Sequence, residues 1–157
     1  MKLAFQQTFP ASPDKVLDLL RNEEFIADVA QHAGATAHDI RILGDRTELD
    51  MEIPTPGNVA SVIGRTVKLT LTMRFSEPRA DGSIPGNVDV RVPGMPVEAD
   101  AVGLLTPEGA DRTVGNYEGD LRVKIPLVGK KVEQQVQPFV ISAFEGIERR
   151  ANVWLTR

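Results

Sequence analysis

Few side chains in this sequence have the type and spacing that catalysis or metal binding requires. The chain has no cysteine, which excludes thiol catalysis and thiolate metal sites, and only two histidines, His32 and His38. A metal site would need a further ligand beside them. Asp39 follows His38 directly, but neighbouring residues of a strand point to opposite faces. We therefore expect neither a metal ion nor a cofactor.

The acidic residues follow the pattern of a solvent-facing sheet. Glu48, Asp50 and Glu52 share one face of a predicted strand, and Lys68 and Arg74 share the outer face of the next. Cross-strand pairs of this kind contribute a few tenths of a kcal/mol up to about 1 kcal/mol each. General acid–base catalysis by paired acids needs a buried carboxyl group with a raised pKa, and no acid falls on an apolar face. The chain also lacks a glycine-rich phosphate loop, a G-x-S-x-G elbow and an H-E-x-x-H motif.

Four polar residues are predicted to point toward the core: Gln7, Thr47, Tyr117 and, at the start of a strand, His38. A few convergent polar groups in an apolar pocket are typical of a ligand site. The same groups could equally be core residues with satisfied hydrogen bonds. The sequence leaves both interpretations open.

Composition narrows the class of protein. The chain has 157 residues, of which 41% are apolar and 25% charged, so we expect one domain over residues 1–157 with its own core. The net charge is −4, and one Tyr and one Trp do not suffice for a basic, aromatic nucleic-acid surface. Residues 1–7 lack a signal-peptide core, and no apolar run approaches membrane-spanning length. We expect a cytoplasmic protein without nucleic-acid binding or integral membrane association.

The end of the chain predicts the longest element, a helix over residues 128–154. Its apolar residues recur at steps of three and four, which is typical of one buried helical face: Val132, Val136, Phe139, Val140, Ala143, Ile147, Ala151 and Trp154. About 26 residues at 1.5 Å each give a helix of about 39 Å.

The remainder of the chain is predicted to be mostly β-strand. Alternating patterns indicate strands at residues 2–9, 38–43, 46–53, 66–75, 87–92, 97–105 and 112–125. Two short helices follow the first strand, over residues 13–20 and 22–33, with Ser12, Pro13 and Asn22 as their start signals. Most links are of hairpin length, which favours an antiparallel sheet.

This order of elements, β-α-α-β×6-α, resembles the helix-grip fold of the START and birch-pollen-allergen-like (SRPBCC) superfamily. Residues 9–16, Phe-Pro-Ala-Ser-Pro-Asp-Lys-Val, are similar to its first strand-to-helix junction. Residues 123–129, Val-Lys-Ile-Pro-Leu-Val-Gly, with Glu133 after them, resemble the last such junction in polyketide-cyclase-like and bacterial branches. Within the superfamily, the chain most resembles a bacterial domain family of unknown function. The fold class expected is α+β, with a curved antiparallel sheet wrapped around a long C-terminal helix.

The resemblance implies a cavity between sheet and helix that holds an apolar or amphipathic, lipid-like molecule. Our first interpretation is therefore a small-molecule binding or carrier protein. A polyketide-cyclase or dehydratase-like enzyme is the alternative, with Tyr117, Gln7 and His38 as candidates for proton transfer or polarisation. A ligand-free protein-interaction module is the third. We expect a monomer or a weak homodimer.

Small residues on the inner face of the last two strands suggest where a cavity could lie. Gly115, Gly119 and Gly103 would leave volume unfilled or let the sheet bend, or they could allow close backbone packing. The candidate cavity-lining residues are Gln7, Met51, Leu71, Met73, Val90, Tyr117, Gly119, Leu121, Val136, Phe139, Val140 and Ala143. Val59, Val62 and Ile63, between Pro54 and Gly64, are candidates for a lid, or else part of an ordinary connection.

Overall fold

A computed structural model describes residues 1–55, 57 and 60–157, with only the backbone described at residues 62 and 63. The elements are β1 (Lys2–Phe9), α1 (Pro13–Leu20), α2 (Glu23–His32), β2 (Ala37–Leu43), β3 (Arg46–Pro54), α3 (Ala60–Ile63), β4 (Thr66–Phe75), β5 (Ile84–Arg91), β6 (Val97–Pro107), β7 (Thr113–Val123) and α4 (Gly129–Leu155). The predicted helix-grip fold of the α+β class is confirmed.

The strands form one curved antiparallel sheet in the order β1-β7-β6-β5-β4-β3-β2. Each strand from β2 to β6 pairs with its successor, and β1 pairs with β7, so β1 and β2 are the edges. Helix α4 packs against β1, β7 and α2. The helix therefore lies on one side of the sheet's inner face, and this position decides where open space remains.

Local signals explain the helix starts. Pro13 occupies the first turn of α1, where its missing N–H costs no hydrogen bond. Asn22 caps α2, and its side-chain oxygen accepts a hydrogen bond of 3.1 Å from the Phe25 N–H. Helix α4 is continuous through Pro138.

Two predictions about element details are wrong. Strand β5 begins at Ile84 rather than at residue 87, because the Pro85 carbonyl still accepts a ladder-like hydrogen bond from the Ser76 N–H. The buried face of α4 includes Phe144, whereas Phe139 is 44% exposed and Ala143 is exposed. The apolar residues of α4 recur with the predicted helical period, but the face of the helix that is buried is the one turned toward β1 and β7.

Candidate ligand-binding site

The inner face of the sheet divides along the strand direction into two regions, which we call the packed end and the cavity end. Cross-strand register defines the packed end as the rows Phe5–Tyr117–Gly103–Gly86–Phe75 and Leu3–Gly119–Ala101–Val88–Met73–Thr47. The cavity end begins at the next row, Leu121–Ala99–Val90–Leu71, and continues through Val97, Leu69, Met51, Val67 and Ile53.

Aromatic rings fill the packed end. The Tyr117 ring covers Gly103 on the next strand, so closely that a Cβ there would overlap the ring. Phe75 covers Gly86 in the same way. Phe5 stacks on Tyr117 with ring centroids 4.8 Å apart. These glycines therefore accommodate rings and leave no open volume.

Hydrogen bonds hold α4 on the edge strand β1. The Gln7 amide Nε2 donates to the Phe144 carbonyl at 2.9 Å, and this contact is buried. The Thr8 N–H donates to Glu148 Oε2 at 2.6 Å, and Asn152 Nδ2 donates to the Thr8 carbonyl at 3.1 Å. Successive turns of the helix are thereby fixed over β1.

The start of α4 has its own polar contact with the sheet. Glu133 accepts hydrogen bonds from the Val123 N–H at 3.0 Å and from the Met1 ammonium group at 3.1 Å. These donors, the Val123 N–H first, hold the pKa of the Glu133 carboxyl below its ordinary value. Both ends of the helix are thus attached to the β1 and β7 side.

A cavity of about 710 Å³ lies between α4 and the cavity end. Because α4 lies over β1 and β7, it makes at most a few contacts with β3, β4 and β5 among the described residues, and their inner residues at the cavity end are left largely uncovered by this helix. The walls are mainly apolar, and the sheet contributes Met51, Ile53, Val67, Leu69, Leu71, Val90, Val97, Ala99 and Leu121, with Val92 just after β5. On α4, the exposed Phe139 and Val153 belong to the wall, so the cavity is in contact with solvent.

Eight of the twelve predicted cavity-lining residues lie on this wall: Met51, Leu71, Val90, Leu121, Val136, Phe139, Val140 and Ala143. Met73, Tyr117 and Gly119 belong to the packed end instead, where rings and backbone occupy the space, and Gln7 lies one row beyond it, on the side away from the cavity. A Cβ at Gly119 would overlap the Asp100 carbonyl of β6. Alternation along a strand identifies the inner face, but it does not give the position along that face. That a ligand contacts the eight remains a prediction.

The predicted lid lies outside what the structure describes. Val59 is not among the described residues, and neither are the side chains of Val62 and Ile63. At the base of this connection, the Thr55 N–H donates to the Arg65 carbonyl at 2.9 Å. Thr55 and Pro54 line the cavity.

The inward polar residues are not brought together at the cavity. The Thr47 hydroxyl donates to the Leu20 carbonyl at 3.0 Å, which makes it a core contact between β3 and α1. Burial raises the pKa of Tyr117, whose side chain is 3% exposed. His38 shares the inner face of the sheet with Met51, its cross-strand partner, as predicted, but it is exposed on the edge strand β2 and does not line the cavity. Gln7 lies on the other edge strand, β1.

The structure adds polar residues that the sequence pattern did not assign to the cavity. His32, Arg149 and Arg150 line it at the end where α2 meets α4. Arg150 Nε lies 2.7 Å from Asp28 Oδ2, and this hydrogen bond is the main reason that the pKa of Asp28 is lowered. The two paired residues are 122 positions apart in the chain. In the sequence alone, the arginines near the end of the helix are already explained by the partial negative charge at a helix C-terminus, which favours cations.

The described residues, 1–55, 57 and 60–157, contain no group of three or more histidine, aspartate or glutamate side chains placed to hold a metal ion. No helix there is both long and apolar enough to cross a bilayer.

Comparisons with solved structures show the same fold along nearly the whole chain. TTHA0849 from Thermus thermophilus is 17% identical, with a TM-score of 0.63 over 96% of this chain and 97% of that one. The Zhui aromatase/cyclase from Streptomyces sp. R1128 is 14% identical, with a TM-score of 0.64 over 100% and 94%. Norcoclaurine synthase from Thalictrum flavum, in complex with dopamine and hydroxybenzaldehyde, is 18% identical, with a TM-score of 0.59 over 95% and 84%.

At these identities the likeness establishes the fold alone, and it agrees with the predicted superfamily. A search of curated proteins finds no match. The family model described as "Protein of unknown function (DUF2505)" matches residues 4–155. The chain therefore belongs to the DUF2505 family.

Proposed function

We propose that this protein binds an apolar or amphipathic small molecule in the cavity between α4 and the cavity end of the sheet, and acts as a carrier or binding protein. The observation that carries the proposal is the cavity itself, about 710 Å³ with mainly apolar walls. Ligand sites in proteins are usually clefts of about 300–1,000 Å³ with this composition and a small number of polar groups.

The energetics favour an apolar occupant. Each Å² of apolar surface removed from water contributes roughly 25 cal/mol. Phe139, 44% exposed, and Val153, also 44% exposed, present such surface at the cavity. A molecule seated against them would bury their surface together with that of the strand residues opposite. Because the hydrogen bonds to β1 hold α4 in place, closing this space would require breaking several of them.

Structural neighbours support the proposal by analogy. The norcoclaurine synthase structure holds dopamine and hydroxybenzaldehyde, two small organic molecules, in a chain of the same fold. The Zhui neighbour is an aromatase/cyclase. The fold can therefore accommodate small organic molecules, and fold alone does not decide whether a reaction follows binding.

The enzyme alternative has less support from the site. A cyclase-like mechanism was expected to use Tyr117, Gln7 and His38, which would have to converge on one bound molecule. Gln7 donates its amide to a backbone carbonyl, Tyr117 belongs to the packed end, and His38 is exposed on the far edge strand. The interaction-module alternative is also weaker, because exposed apolar side chains such as Val102 and Leu127 lie on separate elements.

Native mass spectrometry and titration with an apolar fluorescent dye test the proposal. The variant Ala143→Trp places an indole on the exposed, cavity-facing side of α4, and we expect dye affinity to fall about tenfold or more, equivalent to about 1.4 kcal/mol. Ala110→Trp, in the exposed turn between β6 and β7, is the matched control and should leave affinity unchanged. A protein that carries no adduct and takes up no dye, or an Ala143→Trp variant that binds normally, would contradict the proposal.

A further inference from the structure

The cavity wall changes from apolar to cationic along α4. Val136, Phe139 and Val140 line one part, and Arg149 and Arg150 line the part nearer the C-terminus. The separation from Val136 to Arg149 corresponds to about 20 Å along the helix. The cavity therefore has an apolar part and a separate polar part, about as far apart as the two ends of a medium-length amphiphile.

Two of the polar-end groups already have partners. Arg150 binds Asp28 through Nε at 2.7 Å and through Nη2 at 3.3 Å. His32 Nδ1 lies 3.3 Å from Asp28 Oδ1 and 2.9 Å from the Asp28 carbonyl oxygen. Trp154 Nε1 also donates to Asp28, at 3.1 Å. Asp28 and Arg150 thus form a structural pair that neutralises one positive charge.

Arg149 has no such partner. Among the residues that the structure describes, no carboxylate lies within 4.0 Å of its guanidinium group, although Glu145 is only four residues earlier on the same helix. Its Nη2 instead lies over Gly146, 3.5 Å from where a Cβ would be, and Gly146 is itself part of the cavity wall. The absence of a side chain at Gly146 leaves room for the guanidinium group beside the cavity.

The charges at this end therefore do not cancel. Arg149 and Arg150 carry two positive charges, and Asp28 supplies one negative charge. Glu98 also belongs to the wall, but its carboxylate is engaged by Arg122 at 2.8 Å and by Lys124 at 3.6 Å on the β6–β7 side. One positive charge in excess remains at the polar end.

We infer that the preferred ligand is an anionic amphiphile, a carboxylate with an aliphatic chain, whose head group pairs with Arg149 and whose chain extends along the cavity toward Val136 and Val97. This inference rests on the proposed function and specifies the ligand class for the same cavity. A guanidinium group suits a carboxylate because its N–H groups can donate two parallel hydrogen bonds. The aliphatic chain would occupy the apolar part of the wall.

The test compares two probes that differ only in the head group, dodecanoate and dodecan-1-ol, by calorimetric or dye-displacement titration. We expect the dodecanoate-to-dodecanol affinity ratio to fall by roughly five- to tenfold in Arg149→Gln, as for a partly exposed charge-assisted contact. Dodecanol affinity should not change. The ratio in the unmodified protein should fall as salt is raised, because exposed charges are screened. Lys131→Gln removes the same charge from the exposed start of α4 and should leave the ratio unchanged.

Each outcome has a distinct meaning. If both probes bind and Arg149→Gln leaves their ratio unchanged, the anionic preference is overturned while the proposed function stands. If Lys131→Gln lowers the ratio as much as Arg149→Gln, the effect comes from overall charge, and the inference is overturned. If neither probe binds and the protein takes up no apolar dye, the proposed function fails as well.

Discussion

The packed end and the cavity end belong to the same sheet and face the same helix, yet they are filled by different means. At the packed end, the Tyr117 and Phe75 rings lie on glycines of the neighbouring strands. At the cavity end, residues of intermediate size line a space of about 710 Å³. The strand glycines therefore lie where the core is most densely filled.

The position of α4 explains the difference. Its hydrogen bonds to Gln7 and Thr8 place Phe144 against Phe5, with ring centroids 4.3 Å apart. Closing the cavity would move the helix away from this stack. The cavity end is instead joined to α2 through the polar pair Asp28–Arg150. Aromatic packing stabilises one end, and the other end depends more on polar contacts at its margin.

Truncating one aromatic residue at each end gives the largest expected contrast. Tyr117→Ala removes a ring that is 3% exposed, and we expect the free energy of unfolding to fall by about 4 kcal/mol, as for other buried aromatic residues. Phe139→Ala removes a ring that is 44% exposed and should cost less than about 1 kcal/mol. Urea denaturation of both variants measures the difference. Equal losses would show that the cavity end is packed as densely as the other end.

The sequence was sufficient for the order of elements, because a period of two and a period of about 3.6 residues are local properties. It was also sufficient for the inner face of each strand, which is why Met51, Leu71, Val90 and Leu121 were assigned to the side of the sheet that faces α4. The period could not show that Tyr117 and Gly119 are at the packed end. That distinction depends on cross-strand register, which joins residues far apart in the chain.

The polar end of the cavity was missed for a related reason. Asp28 and Arg150 are adjacent only because α2 packs on α4. Gly103 was misleading as well, since a glycine in a strand can leave space or can lie under a ring. Register distinguishes the two cases: the residue opposite Gly103 is Tyr117.

Gly119 at the packed end and Gly146 at the cavity end test the difference between the two ends, because replacement by alanine should have opposite effects on stability. Gly119→Ala places a Cβ against the Asp100 carbonyl of the neighbouring strand, so the backbone must shift, and we expect a loss of about 2–3 kcal/mol. Gly146→Ala lies within α4 beside the cavity, where the nearest contact is Arg149 Nη2 at 3.5 Å. Helix propensity should there stabilise the protein by about 0.5–1 kcal/mol.

Thermal and urea unfolding of these two variants provide the measurement. A Gly119→Ala protein as stable as the unmodified protein would mean that the strands at the packed end can shift to accommodate a Cβ at little energetic cost. Destabilisation by Gly146→Ala would instead indicate that the position of the Arg149 side chain is needed for the fold, and that the cavity end is tightly fitted there.

The smallest expected effect concerns the polar contact that joins α2 to α4 at the cavity. Arg150, followed by Trp154, holds the pKa of Asp28 below its ordinary value of 3.8. A lowered pKa in the folded state adds stability above the unfolded pKa, and this contribution is lost as the pH falls through the folded value. Asp28→Asn should therefore cost about 1 kcal/mol at pH 7 and pH 5, and progressively less below about pH 4.

Urea denaturation at pH 7, 5 and 3.5 measures how the difference in unfolding free energy between Asp28→Asn and the unmodified protein decreases as the pH falls. Asp18→Asn, on the exposed face of α1, is the matched control. A cost that stays constant over the pH range would mean that the introduced amide disturbs packing around position 28, because a loss of shape does not depend on ionisation. A cost that decreases at low pH would show that the margin of the cavity end is stabilised by a charge. The two ends would then differ in their response to pH as well as in their response to truncation, since Tyr117→Ala should cost the same at pH 5 and at pH 3.5.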